Sequence, residues 1–170
     1  MHKTGKYLIA GSAGSGKTSV IRELENRGFS AYDMDSYPGA TRLQDKQGNF
    51  VPFPDGYIDW DFYEWNWQPP VVNRLLGSDE VVFLGGITSN SAKMYKLFDK
   101  IFALAVDDET LAERILSRTE KDYGKDPKTL KGELEYRQTL EDKLVNENSA
   151  IKINAIQPLE QVVDEILANI

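Results

Sequence analysis

Eight consecutive residues, Gly11-Ser12-Ala13-Gly14-Ser15-Gly16-Lys17-Thr18, match G-x-x-x-x-G-K-[ST] at every fixed position. The motif constrains the fold because it works only where a strand runs through a glycine loop into a helix. Both flanks comply: residues 6–10 (K-Y-L-I-A) are a β-prone run ending at Gly11, and residues 18–27 carry Val20, Ile21 and Leu24 at helical spacing. In such a P-loop, glycines let the backbone turn its N–H groups around phosphate oxygens, and the loop opens onto the positive end of a helix. A polyphosphate is the expected ligand. Lys17 is placed to reach its β and γ phosphates and the Thr18 hydroxyl to sit on Mg²⁺, with Ser19 next in the helix completing the nucleotide-binding stretch. The motif specifies nucleotide binding and is silent about the reaction.

A chain of 170 residues suits one domain spanning 1–170, with 41% hydrophobic and 28% charged residues and no apolar run as long as a membrane span. The first eleven residues lack the apolar core of a signal peptide, so a cytoplasmic address is the expectation. Without cysteine there is no disulfide or thiolate chemistry, and the single His2 makes a histidine metal site or catalytic triad implausible. Carboxylates must do any acid-base work. A net charge of −7 argues against nucleic acid or an anionic membrane as partner.

After Gly28 closes the first helix, residues 29–34 read as a second strand that ends in carboxylates. Asp33 and Asp35 lie two apart, so in an extended chain both project to one side, at the strand end where open α/β sheets bind ligands; a turn before Pro38-Gly39 would use the same residues. Residues 37–67 look irregular, punctuated by Pro38-Gly39, Gly48-Asn49 and Pro54-Asp55-Gly56, and end in an aromatic and acidic run that holds all three tryptophans. Rings such as Trp60 and Trp65 could stack a flat substrate, or anchor a long insertion to the core. Residues 68–76 read as a helix opened by Pro69-Pro70.

Residues 80–84 (E-V-V-F-L) have the continuous apolar character of a parallel strand buried on both faces. Gly85-Gly86 stand where many P-loop proteins carry a metal-holding aspartate, and Asp79 lies at the wrong end of this strand. The glycines could admit a substrate to the backbone or permit a tight turn. A short helix over 91–97 and a fourth strand over 100–106 follow. Asp107-Asp108 then cap a helix that buries Leu111 and Ile115 and carries Arg114 and Arg118 four apart, able to bracket phosphates or stack on a purine. Residues 119–127, polar and containing Lys121, Gly124 and Lys125, suit a mobile lid. A long helix over 129–148 bearing Arg137, a strand over 150–154 and an amphipathic helix opened by Pro158 complete the chain. The repeated β-α pattern predicts a three-layer α/β fold: a five-stranded parallel sheet with helices on both faces.

Together, the P-loop, the Asp33-x-Asp35 pair, the Gly85-Gly86 turn and the Arg114-x-x-x-Arg118 helix leading into a lid resemble the small-molecule P-loop kinases of the shikimate kinase and adenylate kinase group. That resemblance implies a phosphotransferase using ATP and Mg²⁺. Within it, Asp33 and Asp35 serve the metal shell and the acceptor hydroxyl, in an order the sequence leaves open, and Gly85 and Gly86 contact the acceptor. Arg114 faces the adenine, Arg118 the phosphates, and Asn154-Ala155 line the adenine. Arg137 joins the acceptor side. An acceptor arginine after the aspartate pair, as shikimate kinase would have, is not evident, and the aromatic insertion departs from both relatives.

Charge narrows the acceptor. From Asp33 to Glu80 there are nine acidic residues against three basic ones, a poor trap for an anion. An uncharged hydroxyl compound, nucleoside-like or sugar-like, is expected as the small-molecule partner, with a nucleoside monophosphate as the alternative acceptor. A nucleotide-binding switch without small-molecule kinase activity is the alternative of another class; a GTPase is disfavoured because no N-K-x-D motif occurs. Nothing in the sequence sets the oligomeric state.

Overall fold

The structure, a computed structural model, describes residues 4–54, 57–78 and 80–170; His2, the Asp55-Gly56 turn and Asp79 lie outside the described residues. In chain order the regular elements are β1 (Gly5–Ala10), α1 (Lys17–Asn26), β2 (Ser30–Asp33), β3 (Thr41–Asp45), β4 (Tyr63–Trp67), α2 (Pro69–Leu76), β5 (Val81–Gly85), a 3-10 helix (Ser91–Leu97), β6 (Lys100–Ala105), α3 (Asp108–Ser117), α4 (Pro127–Asp142), a single π turn (Lys143–Glu147), β7 (Ile151–Asn154) and α5 (Leu159–Ala168).

Five strands form one sheet in the order β2-β5-β1-β6-β7, every neighbouring pair parallel. The near-continuous apolar runs of β1, β5 and β6 are buried because helices cover both faces. Ile9, Phe83, Phe102 and Ile153 pack with α1, α3 and α5 through Ile21, Leu24, Leu111, Ile115, Val163 and Ile166. On the opposite face Leu8, Val82, Leu84 and Ala103 pack with Val72 and Leu75 of α2, Met94, Leu140 and Leu144. Each such large side chain contributes about 1.5–3 kcal/mol. The expected three-layer α/β architecture is what the chain forms. Among the described residues no helix is long and apolar enough to cross a membrane.

Register fixes the site. Gly85 pairs with Ile9 on one side and Asp33 on the other, so β1, β5 and β2 end in one row, just before the glycine loop. The chain does not stay extended past Asp33. The Met34 amide donates to the Gly85 carbonyl at 2.9 Å, and the amides of Ser36 and Tyr37 then both donate to the Asp33 carbonyl, which curls 33–37 into a turn. Asp33 and Asp35 therefore do not project side by side as an extended strand would have placed them.

The segment 37–67 is more regular than its sequence suggests. β3 and β4 form an antiparallel pair with Leu43 opposite Trp65 and Thr41 opposite Trp67, burying Leu43 and Trp67. The turn after β5 fastens this pair to the core. Ser89 donates its amide to the Trp65 carbonyl at 2.8 Å and its hydroxyl accepts from the Trp65 amide. The Asn90 side chain both accepts from the Trp67 amide and donates to the Trp67 carbonyl, each at 2.9 Å. Farther along, α4 starts at Pro127, not Thr129, because Asp126 caps it by accepting from the Thr129 amide at 2.9 Å. Its regular α-helix ends at Asp142, and the rest of the expected 129–148 helix is the π turn.

Candidate functional site

The glycine loop has the backbone its motif demands. Gly14 and Gly16 sit at φ of 81° and 105°, and a Cβ on Gly14 would also come within 2.8 Å of Ile115. Gly16 begins α1 without a side-chain cap, and no acid occupies the helix's first turn, so neither supplies a carboxylate to satisfy the amide groups at that positive end. The Ser15 hydroxyl is buried beside them with no hydrogen-bond partner. Lys17 folds back over the loop and donates to the Gly11 and Ser12 carbonyls at 2.7 and 2.8 Å. Burial pushes its ammonium below the usual lysine range, against the opposing pull of Asp35, Glu133 and Asp33.

The two aspartates are sorted by their partners. The Thr18 hydroxyl donates to Asp33 Oδ2 at 2.6 Å, and Asp33 Oδ1 accepts from the Asp35 amide. Asp35 is exposed to the cleft, where its Oδ1 accepts from the Trp65 indole N–H at 3.0 Å. Among the described residues no cluster of three or more acidic or histidine side chains could hold a metal alone. Thr18 and Asp33 instead form a two-oxygen site, suited to a hard cation that brings phosphate and water as its other ligands.

The loop and Asp35 open into one cleft of about 1330 Å³; Asp33 does not line it and meets it only through its bond to the Thr18 hydroxyl. Its nucleotide side is lined by Ala13 to Ser19, Arg114, Arg118, Ala155 and Gln157; the opposite side by Asp35, Tyr57, Trp60, Tyr63, Glu64, Trp65 and Ile87 to Ser89. The segment 119–127 and α4 contribute Lys121, Tyr123, Lys128, Thr129 and Glu133. Much of the charge lining the cleft is committed. Lys46 lies 3.4 Å from Glu64, the Tyr123 hydroxyl donates to Glu133 at 2.7 Å, and the Lys128 ammonium rests 3.8 Å above the Tyr57 ring.

Several expected site residues stand elsewhere. Gly85 and Gly86 are buried and do not line the cleft: a Cβ would meet Ile21 at 2.5 Å on Gly85 and Trp67 at 3.2 Å on Gly86, so packing explains both. Ile87, Thr88 and Ser89 face the cleft in their place. Arg137 is turned away from this cleft, donating to Asp108 at 2.6 Å and to the Val106 carbonyl at 2.9 Å. Asn154 spends its side chain on the Ile156 amide, leaving Ala155 to line the wall. Gly11 and Ser12 lie behind the loop and reach the cleft only through the carbonyls that hold Lys17. Arg114 lines the cleft and braces it, donating to the Ala155 and Ser15 carbonyls. Arg118 caps α3 just past its last turn and donates to the Tyr123 carbonyl. Burial holds its guanidinium below the usual arginine range.

Sequence reasoning passed over Lys128, Tyr123, Glu133, Ser89 and Asn90. The Asp126-Pro127 cap signal would have moved the start of α4 back and brought Lys128 and Thr129 to the cleft. The polar run Thr88-Ser89-Asn90-Ser91 directly after a buried strand was the available cue for the other two.

The AAA domain sequence profile matches residues 8–141. No curated protein matches the chain. Among solved structures, a gluconokinase from Sinorhizobium meliloti superposes with a TM-score of 0.59 at 22% identity, over 99% of this chain and 92% of that one. A shikimate kinase from Acinetobacter baumannii in complex with shikimate gives 0.60 at 16% identity over 99% and 96%. The shikimate kinase of Aquifex aeolicus gives 0.54 at 18% identity over 96% and 94%. At these identities the likeness establishes the fold, that of the small-molecule P-loop kinases.

Proposed function

The chain belongs to the AAA domain family, and on that premise we propose that it is a kinase that moves the γ-phosphoryl group of Mg-ATP to a hydroxyl of an uncharged, ring-bearing small molecule. The observation that carries this reading is the position of Asp35: a carboxylate whose Oδ2 has no hydrogen-bond partner among the described residues, in the same cleft as Lys17 and beside a wall of tryptophan and tyrosine. A switch protein has no need of such an acceptor chamber.

Phosphoryl transfer of this kind proceeds through a loose transition state, so positioning and charge neutralisation supply most of the acceleration. Residues 11–19 would cradle the phosphates, with Lys17 leaving its loop carbonyls for the β and γ oxygens. Thr18 and Asp33 would hold Mg²⁺, which would supply charge neutralisation on the phosphates. Arg114 and Ala155 would form the adenine wall. Arg118, with Lys121 on the lid 119–127, would swing from the Tyr123 carbonyl towards the γ phosphate. Asp35 orients the acceptor hydroxyl and takes its proton; Trp60 and Trp65 flank its ring. The Lys128 ammonium, without a carboxylate partner among the described residues, favours one second reading, a nucleoside monophosphate acceptor. Among the described residues, Asp35 and the aromatic stretch 57–65 of the cleft bring no arginine fork for a phosphate, which is why the uncharged class stands first.

The test is ADP release from ATP with pooled neutral hydroxyl metabolites in one arm and nucleoside monophosphates in the other. Stimulation by a neutral pool is the expected result. Stimulation by monophosphates alone moves the assignment to the second reading, and tight ATP binding without stimulation by either overturns the kinase.

A further inference from the structure

Trp65 is held from every side. Its backbone is fixed in β4 opposite Leu43, and its amide and carbonyl are both bonded to Ser89. The Phe53 ring packs against it edge-to-face, with centroids 5.5 Å apart and an interplanar angle of 85°. The one polar atom of the indole is spent on Asp35 Oδ1, at 3.0 Å, across thirty residues of sequence. The neighbouring Trp60 differs: it lies in a turn, 38% exposed, and its indole bonds the Tyr123 phenol and, among the described residues, no carboxylate. An anchoring tryptophan has no reason to aim its N–H at a carboxylate in an open cleft, where water would satisfy both groups.

We propose that Trp65 is a positioning residue for the transfer step: its N–H locks the Asp35 carboxylate so that Oδ2 alone faces the acceptor hydroxyl. Asp35 needs such a lock. It stands on a turn beyond the end of β2, exposed, and among the described residues its other hydrogen bond is from its amide to Asp33 Oδ1. Free rotation about its side chain would present either oxygen, in many orientations. With Oδ1 occupied, the remaining lone pairs of Oδ2 have one direction to serve. In the reaction the acceptor oxygen forms a bond to the γ phosphorus as the bond to the β–γ bridging oxygen breaks. ADP leaves with that electron pair, and the acceptor's proton passes to Asp35 Oδ2 and then to water. The aromatic insertion thus reaches the reacting atoms through the base as well as through the substrate. Ser89 and Asn90, which hold β4 against the turn after β5, set the height of the indole over the base.

The kinetic arm of the test rests on the kinase reading above; the spectroscopic arm does not. The three tryptophans give three indole N–H signals in the ¹⁵N-labelled protein, and Trp65→Phe identifies its own by deletion. That signal should move on Asp35→Asn while the signals of Trp60 and Trp67 stay in place. A Trp65 signal indifferent to Asp35→Asn overturns the proposal whatever the enzyme's substrate. In turnover with the acceptor found by screening, Trp65→Phe keeps an aromatic wall and removes the donor. It should lower kcat about tenfold to a hundredfold while KM for the acceptor changes less than about threefold. Trp65→Ala should raise KM as well. A Trp65→Phe enzyme with wild-type kcat reduces Trp65 to a wall and sinks the positioning role. If no acceptor stimulates the wild type, the kinase reading has failed, and slow ATP hydrolysis, with water as acceptor, takes the place of turnover; there too Trp65→Phe should fall with Asp35→Asn, and an unchanged rate overturns the lock.

Discussion

At the scale of single residues the cleft assigns separate tasks to chemically similar groups, and each task has its own variant. Lys17 is folded onto the Gly11 and Ser12 carbonyls and is ready to exchange them for phosphate oxygens. Lys17→Ala should leave the fold intact, weaken ATP binding and lower turnover at least about a hundredfold, as loss of a preorganised charge at the transferring group does. Calorimetric titration with ATP and an ADP-release assay measure the two effects separately; a folded Lys17→Ala protein with wild-type turnover removes the loop from the mechanism. The aspartates divide by their neighbours. Asp33, bonded to the Thr18 hydroxyl, should on change to Asn raise the Mg²⁺ concentration needed for half-maximal turnover. Asp35→Asn should leave ATP affinity and the Mg²⁺ requirement alone and abolish acceptor-dependent turnover. Turnover measured against Mg²⁺ for both variants distinguishes the pair, and identical profiles would contradict the division.

At the scale of elements, the segment between α3 and α4 is held by a few contacts that nucleotide must rearrange. Arg118 donates to the Tyr123 carbonyl, the Tyr123 hydroxyl donates to Glu133, and Arg22 meets Glu120 at 3.3 Å on the exposed surface. Exposed pairs of that kind contribute little. Residues 119–127 should therefore exchange amide hydrogen quickly without nucleotide and gain protection with Mg and an unhydrolysable ATP analogue. Unchanged exchange at saturation would mean that the basic residues there are merely solvated. The Tyr123 contact also has a pH signature. Burial, reinforced by the Glu133 carboxylate, pushes the phenol above the usual tyrosine range, so the folded protein keeps this proton where the unfolded chain has lost it. Stability from this residue is complete below pH about 10 and is lost as pH rises beyond it. Tyr123→Phe should cost about 1 kcal/mol at neutral pH and flatten the alkaline decline. Urea midpoints from pH 8 to 11 test this; parallel curves for the two proteins would refute it.

At the scale of the whole molecule, the layers leave no slack where β5 ends. A methyl group on Gly85 would meet Ile21, itself only 1% exposed, at 2.5 Å. Gly85→Ala should cost about 1–3 kcal/mol by overpacking, and Ile21→Val in the same chain should recover part of it. Thermal or urea unfolding of the three variants checks both signs. This pair also shows what a sequence can and cannot convey. The five parallel strands were legible because β1, β5 and β6 are apolar on both faces, and the loop was legible because its glycines, lysine and threonine act on one another locally. A glycine doublet has two meanings, substrate access and tight packing, and only the neighbours Ile21 and Trp67, far away in sequence, decide for packing. Arg137 was misjudged for the same reason, since its partners Asp108 and Val106 lie about thirty residues upstream. β3 and β4 escaped notice because their ladder is closed across seventeen intervening residues and held by two side chains from another turn. That fastening separates inheritance from variation. Ser89 and Asn90 grip β4 at Trp65 and Trp67, so exposed residues in the connection between Asp45 and Tyr63 can vary without loosening that grip, provided that Ile58, buried in the core, and Phe53, packed on the Trp65 ring, are kept. A library randomised at those exposed positions should yield folded proteins with new acceptor preferences and unaltered ATP affinity, making this connection the chain's natural grafting point.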